Sequence, residues 1–343
     1  MPKPIAIQIN DIHIDKGNIE QVTDIFHQLC DLCIKESIYT VFIAGDIFES
    51  RTSQRLETLN AFLNILNILH SSNIHAYLIP GNHDKTRYDV KESFVDAFSY
   101  HPALTIFDDY DYEDLEKGVR VHFMPFFRED VWLEKFKPDF LKDGKNILIT
   151  HVAITGSVNN DGSIVESPLS INTFEGFDRV YSGHYHQTQV IKKNFIHCPS
   201  PYQANFGEDN KKGFTIIYDD LTYEIKKAKF KEYKKVKVNL DEIKKAELDD
   251  LMKEYSNSDD NIRFEVLGSE SKVKSIKKDS FYAVGIDIKT KVKEVEDSLI
   301  YAEQDEIVSF NKTSLVEEFK ECCEENDWEF ETGNKYLERK LNG

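Results

Sequence analysis

The sequence predicts an α/β protein with an α+β later part: packed sheets flanked by helices, then a small α+β module, then a helical tail. Three observations carry this. The first two-thirds of the chain alternate strand-like and helix-like runs, βαβα at first and then mostly β. The texture changes near Asn239, where a second, shorter set of elements begins. At 343 residues the chain exceeds what one core of ordinary size would use. We divide it at residues 1–222, 223–290, 291–312 and 313–343: a main domain, a small module, a charged linker and a C-terminal helical segment.

In chain order, Ile5 to Ile9 is an apolar strand. A helix follows from Asn18, with Ile19, Val22, Ile25, Phe26, Leu29, Leu32 and Cys33 on one face, and Asn18 with Gln21 as a capping box. Val41 to Ala44 is the second strand, and Leu56, Leu59, Leu63, Leu66 and Leu69 mark the next helix. Ala76 to Ile79 is the third strand; Phe94, Val95 and Phe98 mark another helix. Further strands are Val119 to Met124, Ile147 to Thr150, Arg179 to Ser182 and Phe214 to Tyr218. The later module reads as a helix (Leu240 to Tyr255), a strand (Ile262 to Leu267), a short helix and a strand (Tyr282 to Ile288). Residues after Lys289 read as linker. A last helix starts at Ser314 with Glu317 completing Ser-x-x-Glu, and Leu315, Val316, Phe319, Cys322 and Cys323 form its apolar stripe. Tyr336, Leu337 and Leu341 follow Gly333.

No run of ~18 apolar residues suggests a membrane span, and the N-terminus does not read as a signal peptide. The expectation is a soluble, cytoplasmic protein, of cellular or viral origin, with nucleoid-associated activity if it acts on DNA. The five cysteines form no disulfide or zinc framework; Cys30 and Cys33 lie inside a helical pattern and read as buried thiols. The formal net charge of −18 argues against binding nucleic acid by broad electrostatics. Any such contact must come from local patches, site metals or a partner subunit.

Five motifs each follow a predicted strand: Asp11-Ile12-His13, Gly45-Asp46, Gly81-Asn82-His83-Asp84, His151, and Gly183-His184-Tyr185-His186. Strand ends are where open sheets present functional groups. On extended backbone the pairs Asp11/His13 and His184/His186 would each share one side, and the glycines permit tight turns. Carboxylate, imidazole and amide oxygen are all metal ligands, and this mixture suits Mn, Fe or Zn better than Mg or Ca. Asp11, His13, Asp46, Asn82, His151, His184 and His186 are too many for one ion. With one shared carboxylate they suit two ions about 3.5–4 Å apart, which acidify a water and stabilise charge on a phosphate. Each motif alone is weak, since a lone Asp-x-His is usually chance. His27, His70, His75, His101, His122 and His197 sit in no such motif and read as structural.

In this order the motifs resemble those of the calcineurin-like metallophosphoesterase superfamily, and more narrowly the SbcD-type DNA repair and recombination nucleases. Gly45-Asp46-Ile47-Phe48 is similar to that branch's Gly-Asp-x-Phe, Gly81-Asn82-His83-Asp84 to its Asn-His-Asp, and Ser200-Pro201-Tyr202-Gln203 to its Gly-Ser-Pro stretch. Gly207-Glu208 and Lys212-Gly213-Phe214 fit the same stretch. The resemblance implies a four-layer αββα sandwich with a capping domain. It implies that Asp11, His13 and His186 hold one metal, Asn82, His151 and His184 the other, and that Asp46 bridges. It also implies that His83 is catalytic, protonating the leaving 3′ oxygen or orienting the phosphate, with Asp84 positioning its imidazole. An Mn-dependent exonuclease and endonuclease would follow, acting on DNA as a homodimer, with its tail docked on an SbcC-type coiled-coil ABC ATPase. Two departures stand out: Glu49 where the family often has Asp or His, and Pro199 where it has Gly.

Two other readings stay open, a stand-alone phosphoesterase for small phosphodiesters or phosphomonoesters and a non-catalytic DNA tether. Lys226, Lys227, Lys229, Lys231, Lys234, Lys235 and Lys237 form either a phosphate-contacting cluster or a solvated strand face. The polar loop from Val152 to Ser170, with Asn159-Asn160-Asp161-Gly162 as a turn, reads as a variable surface loop or a border of the cleft.

Overall fold

A computed structural model describes residues 2–115, 118–159 and 162–293. The expected tail helices, most of the expected linker, and Asn160 and Asp161 of the expected turn lie outside the described residues.

Strands β1 (Pro4–Ile9), β2 (Thr40–Ala44), β3 (His75–Ile79) and β4 (Leu104–Ile106) are successive parallel neighbours. Helices α1 (Ile19–Glu36) and α2 (Leu56–Ser71) are the crossovers that parallel pairing requires. Strands β5 (Asp111–Leu115), β6 (Val119–Met124), β7 (Lys145–Thr150), β8 (Arg179–Ser182), β9 (Gln189–Ile191) and β10 (Phe195–His197) form a second sheet, ordered β5-β6-β7-β8-β10-β9, with α3 (Glu129–Lys135) after β6. The chain then returns to the first sheet through β11 (Gly213–Tyr218) and β12 (Tyr223–Lys227), completing the order β12-β11-β1-β2-β3-β4.

The layers follow from the period-two alternation of strand side chains. Val41 and Ile43 of β2 pack with α1 and α2, while Phe42 and Ala44 join the core between the sheets. Ile147 and Ile149 of β7 enter that middle core, and Leu148 points to a third core with Trp132 of α3 and Phe174. Three cores between four layers give the αββα sandwich that the resemblance implied.

The small module has its own parallel sheet, β13 (Tyr233–Asn239), β14 (Asn261–Gly268) and β15 (Ile286–Val292), in that order. Its helices are α4 (Lys245–Tyr255), α5 (Glu270–Ser275) and α6 (Lys278–Tyr282). Alternate residues of β14, Ile262, Phe264 and Val266, are buried with Leu248 and Phe281.

Several expectations are corrected. Asn18 makes no side-chain cap; its amide donates instead to the His13 carbonyl (2.8 Å) and to Tyr202 (3.0 Å). The buried face of α2 is Ala61, Phe62, Ile65, Leu66 and Leu69. Leu56 and Leu63 are exposed, because the helix turns Ala61, Phe62, Ile65, Leu66 and Leu69 toward the core. Phe94–Phe98 is a five-residue 3₁₀ helix rather than an α-helix. Helix α4 starts at Lys245 because β13 runs on to Asn239 and the Leu240 amide is tied to Leu267. Tyr282 closes α6; a left-handed turn at Gly285 (φ 75°) precedes β15, which runs to Val292 into the expected linker. Residue 223, expected to open the small module, lies on β12 in the first sheet. The lysine cluster is therefore split, with Lys226 and Lys227 on β12 and Lys234, Lys235 and Lys237 on β13. Lys227 pairs with Glu232 at 3.0 Å.

Candidate metal centre

The centre lies at the carboxyl ends of β1, β2, β3, β7 and β8, where the five motifs begin. Beyond their strands, the first two motif loops continue the ladder between β1 and β2. The Asp11 amide donates to the Gly45 carbonyl (3.0 Å), and those of Ile12 and His13 to the Asp46 carbonyl (2.8 and 3.0 Å). The expected extended backbone is not found here. Asp11 (φ 53°), His13 (φ 49°), Asp46 (φ 55°) and His184 (φ 85°) are left-handed, a costly conformation for residues with a Cβ. Two glycines serve close approach: a Cβ on Gly45 (φ 83°) would lie 2.4 Å from His151 Nδ1, and one on Gly81 would lie 2.2 Å from Asp46 Oδ1.

All eight expected site residues come together. In one half, His13 Nε2 faces His186 Nε2 at 3.1 Å, and Asp11 groups with these two rings. In the other, Asn82 Oδ1 lies 3.1 Å from His151 Nε2 and 2.9 Å from His184 Nδ1. Asp46 Oδ2 stands between the halves, 3.3 Å from His151 Nε2 and 3.7 Å from His13 Nε2. Its Oδ1 accepts the His83 amide at 2.8 Å. Asp11, His13, Asp46, Asn82 and His151 are buried; His83, His184 and His186 are partly so.

Tautomers follow from the partners, because a carbonyl only accepts. His151 Nδ1 donates to the Ala44 carbonyl (2.7 Å), and His186 Nδ1 lies 2.7 Å from Glu208 Oε1. Each ring thus keeps Nε2 for the centre. The centre is short of positive charge. His186 Nε2 meets another imidazole nitrogen, and His151 Nε2 meets an amide oxygen. Burial disfavours charge on His13 and His151, yet the carboxylates outweigh it and raise both to about 9. Glu49, Asp46 and Asp11 act on His13, and Asp46 and Asp11 on His151. Burial and the neighbouring His151 push His184 down to about 4. Burial works against ionised Asp46, but His151 and His13 hold its carboxyl far below the usual range. Converging lone pairs and a net demand for cations fit divalent metals, and this mixture of imidazole, carboxylate and amide suits transition ions.

The expected role of Asp84 is corrected. Its carboxylate accepts the amides of Ile47 (2.9 Å), Phe48 (3.1 Å) and Gly81 (2.9 Å), locking the second motif loop to the third. The His83 ring is held otherwise: Nδ1 donates to the Glu49 carbonyl (2.6 Å), and Nε2 lies 2.6 Å from the Arg51 guanidinium. The Glu49 side chain lies 2.9 Å from His13 Nδ1, out of line for a hydrogen bond. Sequence reasoning missed Arg51, Asn10 and the contact of Glu208 with His186. Asn10 donates to Asp11 Oδ2 at 2.6 Å, and its place directly before Asp11 was its only signal. A notch of about 220 Å³ beside Asn82 and His184 is lined by Arg51, Tyr88 and Phe126, and by Val152 and Leu169 from the 152–170 loop. A larger cavity, about 740 Å³, lies in the small module among Leu248, Met252 and Phe281, away from this chemistry.

Fold and centre together define a metallophosphoesterase. The chain belongs to the calcineurin-like phosphoesterase family, whose model matches residues 6–188. Among its relatives, the SbcD subunit of the SbcCD nuclease of Staphylococcus saprophyticus is 25% identical over 238 residues, 59% of this chain and 61% of that protein. DNA double-strand break repair protein Mre11 of Saccharolobus solfataricus is 25% identical over 191 residues, 52% of this chain and 49% of that protein. The chain thus spans about half to three-fifths of these relatives' length. A dimetal phosphatase from Danio rerio aligns in structure with 10% identity and a TM-score of 0.41, over 64% of this chain and 93% of that one. No helix among the described residues is long and apolar enough to cross a membrane.

Proposed function

We propose that the chain is a metal-dependent DNA nuclease of the SbcD type, hydrolysing phosphodiester bonds at a dinuclear centre. The observation that carries this reading is the pair of donor clusters sharing Asp46, whose Oδ2 lies 3.3 Å from His151 and 3.7 Å from His13. Asp11, His13 and His186 would hold one ion, Asn82, His151 and His184 the other, and Asp46 both. Bound there, divalent cations, with Mn the first choice, supply Lewis-acid charge to the phosphate and acidify the attacking water. The chain's own groups do the rest. Asp46 keeps both halves in register through one carboxylate. His83, beside the centre, presents Nε2 to the Arg51 guanidinium. To act as proton donor, Nε2 must take up a proton and offer it to the leaving oxygen while Arg51 turns to the phosphate. The names of the relatives, a nuclease subunit and a break-repair protein, favour DNA over small esters.

The test is hydrolysis by the purified chain with Mn²⁺. Linear duplex or hairpin DNA should be degraded. Inert DNA with rapid cleavage of mononucleotides or cyclic nucleotides would favour a small-substrate phosphoesterase instead. We further propose a homodimer that recruits an SbcC-type ATPase through residues 313–343. A chain ending at residue 293 should keep metal-dependent cleavage of simple diesters and lose co-purification with that ATPase. Retained co-purification would remove the docking role.

A further inference from the structure

Taking the dinuclear reading as its basis, we infer that Glu208 is a positioning residue for His186, on a loop that ties this half of the centre to the three-stranded module. Glu208 has a fully buried side chain with Oε1 2.7 Å from His186 Nδ1. A carboxylate accepts only, so Nδ1 carries the proton and Nε2 keeps its lone pair, directed at His13 Nε2 3.1 Å away. The other oxygen, Oε2, meets Lys212 Nζ at 2.8 Å, and that side chain is fully buried too. Lys212 Nζ also donates to the His186 backbone carbonyl. The pair therefore grips His186 at its ring and its main chain. A buried carboxylate and ammonium are costly unless paired and hydrogen-bonded. A loop that merely needed closing would do as well with apolar packing.

The same loop faces the small module. Gln203 Nε2 donates to the Glu208 carbonyl at 2.9 Å, and Gln203 Oε1 accepts the amide of Tyr233, the first residue of β13, at 2.9 Å. The Phe206 ring lies 4.9 Å from that of Tyr233, and the Arg263 guanidinium of β14 sits 4.0 Å over Phe206. Six residues, Gln203 to Glu208, thus connect a strand of the module to a candidate ligand. The His151 side has no counterpart in these contacts, since its Nδ1 is held by the Ala44 carbonyl of β2. Displacing β13 or β14 would therefore act first on His186, while the His151 ring stays anchored to the sheet.

The experiment is a Mn²⁺ titration of the full chain by calorimetry, with Mn²⁺ electron paramagnetic resonance and a thermal scan beside it. Glu208→Leu with Lys212→Met removes the acceptor and the buried charge together, so no unpaired ion is left to unfold the chain. The expected result is a retained thermal transition with one of two ions weakened about 10–100-fold and the other unchanged, the range for loss of a carboxylate behind a metal-bound histidine. Glu208→Gln with Lys212→Met restores an acceptor and should recover part of the loss. Phe206→Ala should weaken the same ion, by less. If the Leu/Met variant binds both ions as the unaltered chain does, or loses both equally along with its thermal transition, Glu208 is only a loop staple and the inference falls. If the unaltered chain binds no divalent ion, the dinuclear reading falls first and takes the inference with it.

Discussion

His151 and His186 each give Nδ1 to an oxygen and keep Nε2 for the centre, but the oxygens belong to different parts of the molecule. For His151 it is the Ala44 carbonyl, at the end of a central strand, and the ring is wholly buried. For His186 it is the Glu208 carboxylate, on a loop that also touches the small module. The His151 ring is set by main-chain hydrogen bonding and can turn only if the strand end moves. The His186 ring is set by side chains on a loop that also meets the small module. A centre built this way keeps one fixed point and one adjustable point.

The largest effect is expected where the halves meet. Asp46→Asn keeps the left-handed backbone tolerable but removes the charge shared between the two sites of the centre. It should abolish hydrolysis and lower the ion content of both halves, measured by elemental analysis. Ordinary turnover in that variant would end the dinuclear account. Comparing His151→Ala with His186→Ala should break the symmetry next. Both should lose an ion. The first also empties a buried site, at a cost of about 3 kcal/mol in urea unfolding, and the second costs about 1 kcal/mol. Equal losses of stability would mean that the two halves are anchored alike. His83→Gln should keep both ions and lose about 10²–10⁴ in rate; loss of an ion would instead make His83 a ligand. The smallest effect is expected at Glu49, whose side chain is 56% exposed beside His13. Glu49→Gln should weaken the His186-side ion by less than about tenfold, since solvent screens an exposed charge. A greater change in calorimetry would place Glu49 among the ligands.

Much of this was legible in the sequence because the motifs follow apolar strand runs, and strand ends are where a sheet gathers distant residues. Seven candidate ligands could be named from that placement, and His83 only through the family resemblance. The parts that were not legible depend on contacts remote in sequence. Nothing local says that Asp84 spends its carboxylate on the amides of Ile47, Phe48 and Gly81. Nothing local says that Glu208 reaches His186 across 22 residues. The buried face of α2 was not legible, for a different reason. Apolar residues lie on more than one side of the helix, and the leucine spacing matches a helical stripe as well as the buried face does, so only packing against the sheet decides. Asp11-x-His13 suggested extended backbone because residue type reports weakly on a left-handed turn in non-glycine residues.

Those left-handed residues bear on how such a chain would change if its activity were no longer selected. At Asp11, His13, Asp46 and His184 the side chain serves the chemistry while the backbone would be easier with none. Replacement by glycine there relieves roughly 1–2 kcal/mol of backbone strain per position. Against that relief stand buried hydrogen bonds lost with the side chain, such as the one from the His83 amide to Asp46. Glycine thus costs less stability than alanine at the same position, and a copy drifting toward silence would be expected to accumulate glycine or asparagine at these four places before alanine. The same asymmetry makes alanine a poor control for function here, because it removes the ligand and retains the strain.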